Sequence, residues 1–135
     1  MKFGMINNAA DAEVFDYVRD KGLDFIEICC NFDEDNEAFI SKVPSIKENI
    51  KRTGVTIGSV GRWNAAPIKD GAIDPDVSAK IKALIDAAHE VGSPVFVCGV
   101  NYDNTVTRFK NYQLTIEYLK DLVAYAKQYG ITVCV

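Results

Sequence analysis

The sequence predicts an α/β fold in which parallel strands alternate with helices. Short apolar runs rich in β-branched residues, such as residues 25–30 and 55–60, recur between longer segments with helical periodicity. Each predicted helix ends at a glycine close to the next strand, whereas the segments that leave the strands are long and polar. Right-handed crossovers of this kind form either a closed barrel or an open doubly wound sheet, and periodicity alone leaves both open.

The first part of the chain contains two complete β-α units. A strand at residues 2–6 precedes a helix at residues 11–21, whose apolar stripe is formed by Val14, Phe15 and Val18. A second strand at residues 25–30 precedes a helical pattern with these apolar positions: Phe39, Val43, Ile46 and Ile50. Because proline disrupts a helix interior, Pro44 predicts a short helical segment before Val43 and a main helix at residues 44–52.

The second part repeats the pattern with longer loops. A third strand at residues 55–60 is followed by a polar loop at residues 61–74, and its length indicates a functional role. Asp74 and Pro75 predict the N-cap and first turn of a helix that ends near residue 91. A strand at 94–100, a helix at 112–129 and a strand from 131 onwards follow. The inward positions predicted for the last helix are Ile116, Leu119, Leu122, Val123 and Ala126.

Composition indicates a single globular domain and narrows the choice of partners. With 135 residues, 48% hydrophobic and 25% charged, we expect one domain spanning residues 1–135. No apolar run approaches the roughly 18 to 20 residues that cross a bilayer, and the N-terminus resembles no secretory signal, so we expect a cytoplasmic protein without a membrane partner. The net charge of −4 argues against a nucleic-acid partner, since binding to phosphates depends on clustered Lys and Arg.

The four cysteines favour reduced, buried thiols over a metal site. Cys29, Cys30, Cys98 and Cys134 all lie in or at the end of predicted strands, and no CxxC spacing occurs. The adjacent Cys29 and Cys30 point to opposite faces of a strand, which makes joint coordination of one ion awkward. The alternative for Cys29 is a thiol that faces a pocket.

Polar residues within and after the second and third strands are the main candidates for a binding site. Glu27 interrupts an apolar strand, so its carboxylate either faces a wet pocket or forms an ion pair, for instance with Arg62 or Lys2. Arg62, Trp63 and Asn64 follow the third strand. An aromatic ring beside a cation and an amide suits a sugar, because the ring stacks on C–H groups while the polar groups bind hydroxyls or phosphate. The alternative is that Trp63 caps the strands and Arg62 forms a surface pair.

The loop after the fourth strand supplies one further candidate for substrate binding, Asn101. The same loop contains Tyr102, Asp103 and Arg108, and its many turn-forming residues favour a scaffolding role for all four. Asn7 ends the first strand in a similar way. His89, the only histidine, lies near the end of a helix, where the helix dipole accounts for it. We therefore assign no catalytic residue.

Four segments together resemble the first half of a xylose isomerase-like barrel: residues 22–28, 52–57, 87–93 and 129–133. The most specific is the Gly-hydrophobic-Asp-x-Ile-Glu pattern that ends at Glu27. The resemblance implies a parallel (β/α) barrel of TIM type, incomplete here, with about four and a half β-α units of eight. It also implies that intact relatives are isomerases or epimerases of a sugar or sugar phosphate, with a divalent metal (Mn, Mg or Zn) held by the later strands. Since none of those ligands maps to this chain, we expect no metal or other cofactor in it.

Three functional hypotheses remain. The first is the N-terminal half of a metal-dependent sugar or sugar-phosphate isomerase or epimerase, inactive by itself. The second is a non-catalytic half-barrel that acts as a scaffold or associates with itself, and its open strand edges predict a homo-oligomer. The third is an open flavodoxin-like binding domain. A type IV apurinic endonuclease is disfavoured. The resemblance implies for that family a metal cluster with histidines from early strand ends, and this chain has no histidine at such a position.

Overall fold

Five of the seven strands form one parallel sheet. The computed structural model describes residues 1–135. The strands are β1 (Gly4–Asn7), β2 (Phe25–Cys29), β3 (Thr56–Arg62), β4 (Ile68–Lys69), β5 (Ala72–Ile73), β6 (Val95–Cys98) and β7 (Thr132–Cys134). The sheet order is β1-β2-β3-β6-β7, and every neighbouring pair is parallel. A doubly wound sheet reverses its strand order at a switch point. Because the order here follows the chain without reversal, the open-sheet alternative is wrong and a barrel topology is present.

Four helices cover one face of this sheet. They are α1 (Ala12–Asp20), α2 (Asp33–Thr53), α3 (Pro75–Glu90) and α4 (Arg108–Lys127). Crossovers of one hand that all progress in one direction place their helices on the same side. The core of 25 buried apolar residues lies between helices and sheet, with Phe15, Ile26, Leu84 and Phe96 fully buried. None of the helices combines the length and hydropathy that crossing a membrane requires.

The opposite face of the sheet, which we call the lumen face, is defined by strand register. One row across the strands consists of Ile6, Glu27 and Ser59, and the next consists of Cys29, Gly61, Val97 and Cys134. A β-bulge at Gly58 interrupts the register between these strands. Because of the bulge, Ile57 and Val60 can both turn toward the helices, where each is buried.

Helix α2 is continuous, so the predicted break before Pro44 is wrong. The helix runs from Asp33 to Thr53 with Pro44 inside it and exposed. An interior proline costs about 3 kcal/mol. Three side chains of this helix, Phe39, Val43 and Ile46, are buried, and burial of each contributes roughly 1.5–3 kcal/mol. The packing of this stripe therefore outweighs the proline.

Helix α4 presents to the core a face that agrees only in part with the predicted one. It begins at Arg108, where the Thr107 hydroxyl accepts a hydrogen bond from the Lys110 N–H at 3.2 Å. Its buried apolar positions are Leu114, Tyr118, Leu122 and Ala126, while Ile116 and Val123 are exposed. The predicted positions Leu119, Leu122 and Ala126 are confirmed, and those of Ile116 and Val123 are wrong. Tyr118 resembles a surface residue in sequence, although its hydroxyl lies 3.8 Å from the buried Cys98 thiol.

The predicted long loop after the third strand contains regular structure of its own. Strand β3 continues to Arg62, two residues beyond the predicted end, and β4 and β5 form an antiparallel hairpin. The Asp103 carboxylate accepts a hydrogen bond from the Gly71 N–H at 2.9 Å. This bond joins the hairpin to the β6–α4 loop at the carboxyl ends of the strands.

Candidate functional site

Glu27 lies in the middle of the lumen face with its carboxylate unpaired. It is half-buried, stands beside Ile6 and Ser59, and takes part in none of the eight ion pairs of the chain. The predicted alternative of an ion pair with Arg62 or Lys2 is therefore not formed. The neighbouring Ser59 hydroxyl is buried and has no hydrogen-bond partner. The Glu27 carboxylate is therefore available to a polar ligand that contacts this wall, whereas the Ser59 hydroxyl is enclosed beneath it.

Trp63 extends the wall with a flat aromatic surface. A Cβ atom added to Gly61 would lie 2.5 Å from the indole ring of Trp63, so the ring lies directly over Gly61 on the lumen face. The side chain is 37% exposed, which leaves part of the ring open to a ligand. Glu27 and Gly61 occupy neighbouring strands and successive rows, which places their Cα atoms roughly 8 Å apart from ordinary strand spacing and rise. A ligand with one small ring is therefore large enough to contact both the Glu27 carboxylate and the Trp63 indole.

Asn64 and Asn101 meet across the mouth, although 37 residues separate them in sequence. The Asn101 amide N–H donates to the Asn64 Oδ1 at 2.6 Å, and the Asn101 backbone N–H donates to the Ala65 carbonyl at 2.7 Å. Both amides are exposed, and each keeps further donor or acceptor capacity. The loops after β3 and β6 thus form one continuous amide edge beside Trp63.

Arg62 faces the helix layer rather than the lumen. Its Cα is in register with the fully buried Cys98, and its guanidinium pairs with the Asp33 carboxylate at 3.1 Å. Asp33 also accepts a hydrogen bond from Lys80. This hydrogen bond and the positive charges of Lys80 and Arg62 hold the pKa of Asp33 below its ordinary value. The pair joins the end of β3 to the start of α2. This geometry favours the ion-pair interpretation of Arg62 over direct contact with substrate.

An open cleft of about 580 Å³ lies where β1 and β2 end. Its lining is largely amide and acidic: Ile6, Asn7, Asn8, Cys29, Asn31, Phe32 and Asp35. The Asp35 carboxylate accepts hydrogen bonds from the backbone N–H groups of Asn31 and Phe32, each at 2.9 Å. The Asn31 Oδ1 is buried without a partner. Burial, aided by the charge of Asp35, raises the pKa of the Cys29 thiol. This cleft continues the wall that carries Glu27.

The remaining predicted loop residues organise the mouth. The Asn7 Oδ1 accepts hydrogen bonds from the N–H groups of Ala9 and Ala10 and so shapes the turn after β1. The Asp103 carboxylate is satisfied within the loops, and Arg108 donates to the Tyr112 hydroxyl at 2.9 Å. Outside the site, His89 stacks on Tyr129 with ring centroids 4.5 Å apart.

Residues of this chain do not fit a metal ion. No group of three or more His, Cys, Asp or Glu side chains is arranged to hold one. Glu27 is the only carboxylate in the register rows of the lumen face, and Asp35 is engaged in capping α2. A single free carboxylate is fewer ligands than protein metal sites use.

Sequence reasoning missed Asn31, Asp35 and Ser59. The acidic run after β2 signals a helix start near Asp35, but the bond from its carboxylate back to Asn31 depends on backbone geometry. Ser59 is equally hidden in sequence. The bulge at Gly58 brings it level with Glu27, and a regular strand without the bulge would have paired differently.

Comparisons with known proteins agree with this topology. The family model described as xylose isomerase-like TIM barrel matches residues 15–135. No curated protein matches the chain significantly by sequence.

Solved structures of low sequence identity share the fold. The apo 3-keto-D-glucoside 4-epimerase YcjR from E. coli is 19% identical with a TM-score of 0.75, and the match covers 98% of this chain and 54% of that chain. A D-psicose 3-epimerase determined in the presence of D-fructose is 16% identical with a TM-score of 0.75, covering 100% and 52%. The IolI protein with a bound zinc atom is 12% identical with a TM-score of 0.73, covering 99% and 50%. This chain thus spans about half the length of these structures, and the predicted incomplete barrel fold is confirmed.

Proposed function

We propose, because this chain belongs to the xylose isomerase-like TIM barrel family, that it forms the N-terminal half of a sugar isomerase or epimerase and supplies one wall of the sugar site. The observation that carries the proposal is that two groups share the lumen face: the free Glu27 carboxylate, and the indole of Trp63 over Gly61 in the next row. Active sites of such barrels lie at the carboxyl ends of the strands, where these groups meet. The chain alone does not turn over a sugar.

Each residue of the wall has a defined task in this proposal. The Trp63 ring stacks on the C–H face of a sugar, while Asn64 and Asn101 exchange hydrogen bonds with its hydroxyls. Glu27 accepts a hydrogen bond from a hydroxyl near the reacting carbons. Arg62 acts indirectly, since its pair with Asp33 holds the end of β3.

Metal dependence of the complete site belongs to the same proposal. The neighbouring IolI structure contains zinc. The present chain lacks a matching ligand set, so the metal ligands of a complete site lie outside residues 1–135. A step at the metal therefore cannot be assigned to any residue described above.

Fluorescence of Trp63 tests the proposal directly, because it is the only tryptophan. The first ligand is D-fructose, which was present with the structurally similar D-psicose 3-epimerase. We expect saturable quenching with a Kd on the order of millimolar, since one stacking contact and a few hydrogen bonds supply about 4 kcal/mol. Glu27→Gln should weaken binding about tenfold. Glu48→Gln, on the exposed face of α2, should leave it unchanged.

Two outcomes contradict the proposal. The absence of a saturable fluorescence change with D-fructose would show that the chain does not form a sugar-binding wall. Chromatography detects any conversion of D-fructose or D-psicose by the purified 135-residue chain. Such conversion would show that the chain is a complete enzyme.

A self-associating half-barrel is the second candidate function. Strands β1 and β7 each have one unpaired edge, and Phe3, Ile6 and Val135 near these edges are more than half exposed. We expect oligomers at micromolar concentration in sedimentation velocity. A clean monomer throughout that range would contradict this candidate and leave the sugar-binding proposal in place.

A further inference from the structure

We infer that the wall formed by this chain selects an uncharged sugar over a sugar phosphate. The inference rests on the proposed function and concerns the charge of its substrate. In the register rows of the lumen face, Glu27 is the only ionisable group apart from two thiols, and no Lys or Arg occurs there. A phosphate against this wall would meet a carboxylate without a neighbouring cation.

The two arginines at the mouth are directed elsewhere. Arg62 is only 11% exposed, faces the helix layer and pairs with Asp33. Arg108 packs over the Tyr112 ring, with 5.4 Å between the guanidinium carbon and the ring centroid, and donates to its hydroxyl. Recognition of phosphate usually relies on bidentate arginine or a point-charge lysine. Neither arginine presents its charge to the wall.

The lysines closest in sequence to the site are also displaced from it. Lys69 is on the β4–β5 hairpin and Lys110 is on α4, so neither belongs to a barrel strand. Lys2 lines a depression with Arg19 and Asp24, at the end where the strands begin. None of these three lysines therefore lies in the register rows of the lumen face that carry Glu27 and Gly61.

The polar groups that are free at the wall suit hydroxyls. The exposed amides of Asn64 and Asn101 can each donate to a sugar hydroxyl and accept from one. A phosphate dianion can only accept, so it pairs with the amide N–H groups and leaves the amide oxygens without a partner, whereas a hydroxyl pairs with both. Asp35 adds negative charge to the cleft where β1 and β2 end. Amide acceptors and carboxylates together thus favour a neutral polyhydroxylated ligand.

The test compares D-fructose, D-fructose 6-phosphate and inorganic phosphate through Trp63 fluorescence at pH 7.5 and low salt. We expect a Kd for the phosphate ester at least tenfold above that for D-fructose, and no saturable response to inorganic phosphate. Glu27→Gln should lower the ratio of the Kd for the phosphate ester to the Kd for D-fructose, because it removes the repelling charge. Glu48→Gln should leave this ratio unchanged. Added salt should also narrow the ratio, since the wall is open to solvent and screening applies.

The outcomes separate the inference from the proposed function. Equal or tighter binding of the phosphate ester overturns the inference and leaves the sugar-binding wall standing. A Glu27→Gln variant with an unchanged ratio also overturns it. A fluorescence response to neither sugar overturns the proposed function, and the inference fails with it.

Discussion

Two glycines determine where Trp63 lies. A Cβ at Gly61 would meet the far end of the indole at 2.5 Å, whereas a Cβ at Gly99 would meet the Trp63 backbone oxygen at 1.8 Å. Neither glycine has a positive φ. The close approach of Trp63 therefore explains why both positions are glycine. The first contact involves a side chain that can rotate away, and the second involves backbone that cannot.

Gly61→Ala should therefore displace the indole while the fold persists. We expect the emission maximum of Trp63 to shift to the red and quenching by D-fructose to weaken, because the ring leaves the wall. Gly99→Ala serves as the contrast and should lower the melting temperature, since overpacking against backbone costs about 1–3 kcal/mol or more. An unchanged emission spectrum for Gly61→Ala would contradict the assigned position of the ring.

The four thiols should differ widely in reactivity. Burial, with the charge of Asp35, raises the pKa of Cys30 to about 12, and burial also raises the pKa of Cys98. Cys134 is exposed. Because the thiolate is the reactive form, iodoacetamide at pH 8 should label Cys134 first, Cys29 more slowly, and Cys30 and Cys98 only after unfolding. Peptide mass spectrometry measures the order, and rapid labelling of Cys30 in the folded chain would contradict it.

Residue chemistry alone singled out two side chains of the lumen face, and their role in binding a sugar stays a prediction. Glu27 in an apolar strand and Trp63 after the next strand stood out by residue type, and the structure places both on the lumen face. The orientation of Arg62 could not be predicted, because the strand continues further than its apolar pattern and parity then turns the side chain toward the helices.

At the scale of elements, the apolar spacing of α4 was compatible with two faces. Leu114, Tyr118 and Leu122 form the buried stripe, and Ile116 forms part of a second, exposed one. Periodicity finds apolar residues, but it does not say which stripe meets the sheet. The order of strands and helices was predictable because its signals are local. Each helix is followed by a glycine, and most strands of the parallel sheet are short runs rich in β-branched residues.

A pair of substitutions on α4 tests this assignment. Leu122→Ala should reduce the free energy of unfolding by about 2–5 kcal/mol, because it leaves a cavity in the core. Ile116→Ala removes an exposed side chain and should change it by no more than about 0.5 kcal/mol. Urea titrations followed by circular dichroism measure both. Equal losses for the two variants would show that the buried face has been misassigned.

The ion pairs of Asp33 join α2, α3 and β3 and should depend on pH. The folded-state pKa of Asp33 lies below its ordinary value because of its hydrogen bond to Lys80 and the charges of Lys80 and Arg62. A lowered carboxyl pKa stabilises the fold above the unfolded-state pKa near 4 and loses that effect as pH falls through the folded-state value. Relative to the wild type, Asp33→Asn should therefore be less stable at pH 7, by less than about 1 kcal/mol for so exposed a group. The difference should be smaller at pH 3 than at pH 7. Urea titrations at the two pH values measure it, and a constant difference would contradict the linkage.

At the scale of the whole molecule, the structure is an incomplete ring of β-α units. The five strands progress in one direction, and the helices cover only the outer face, so the lumen face is open. A barrel closes with eight strands, and side chains from all of them fill its interior. The chain matches about half of its structural neighbours, which places Glu27 and Trp63 on a surface that the rest of such a barrel faces.

Chemical-shift mapping of the ¹⁵N-labelled chain during a D-fructose titration tests whether the lumen face binds a sugar. We expect the perturbed amides to cluster at Glu27, Asn31, Trp63, Asn64 and Asn101, together with the indole N–H of Trp63. Perturbations confined to the exposed stripe of α4 or to the outer helices, with the lumen face unchanged, would contradict the claim that this chain supplies a wall of a sugar site.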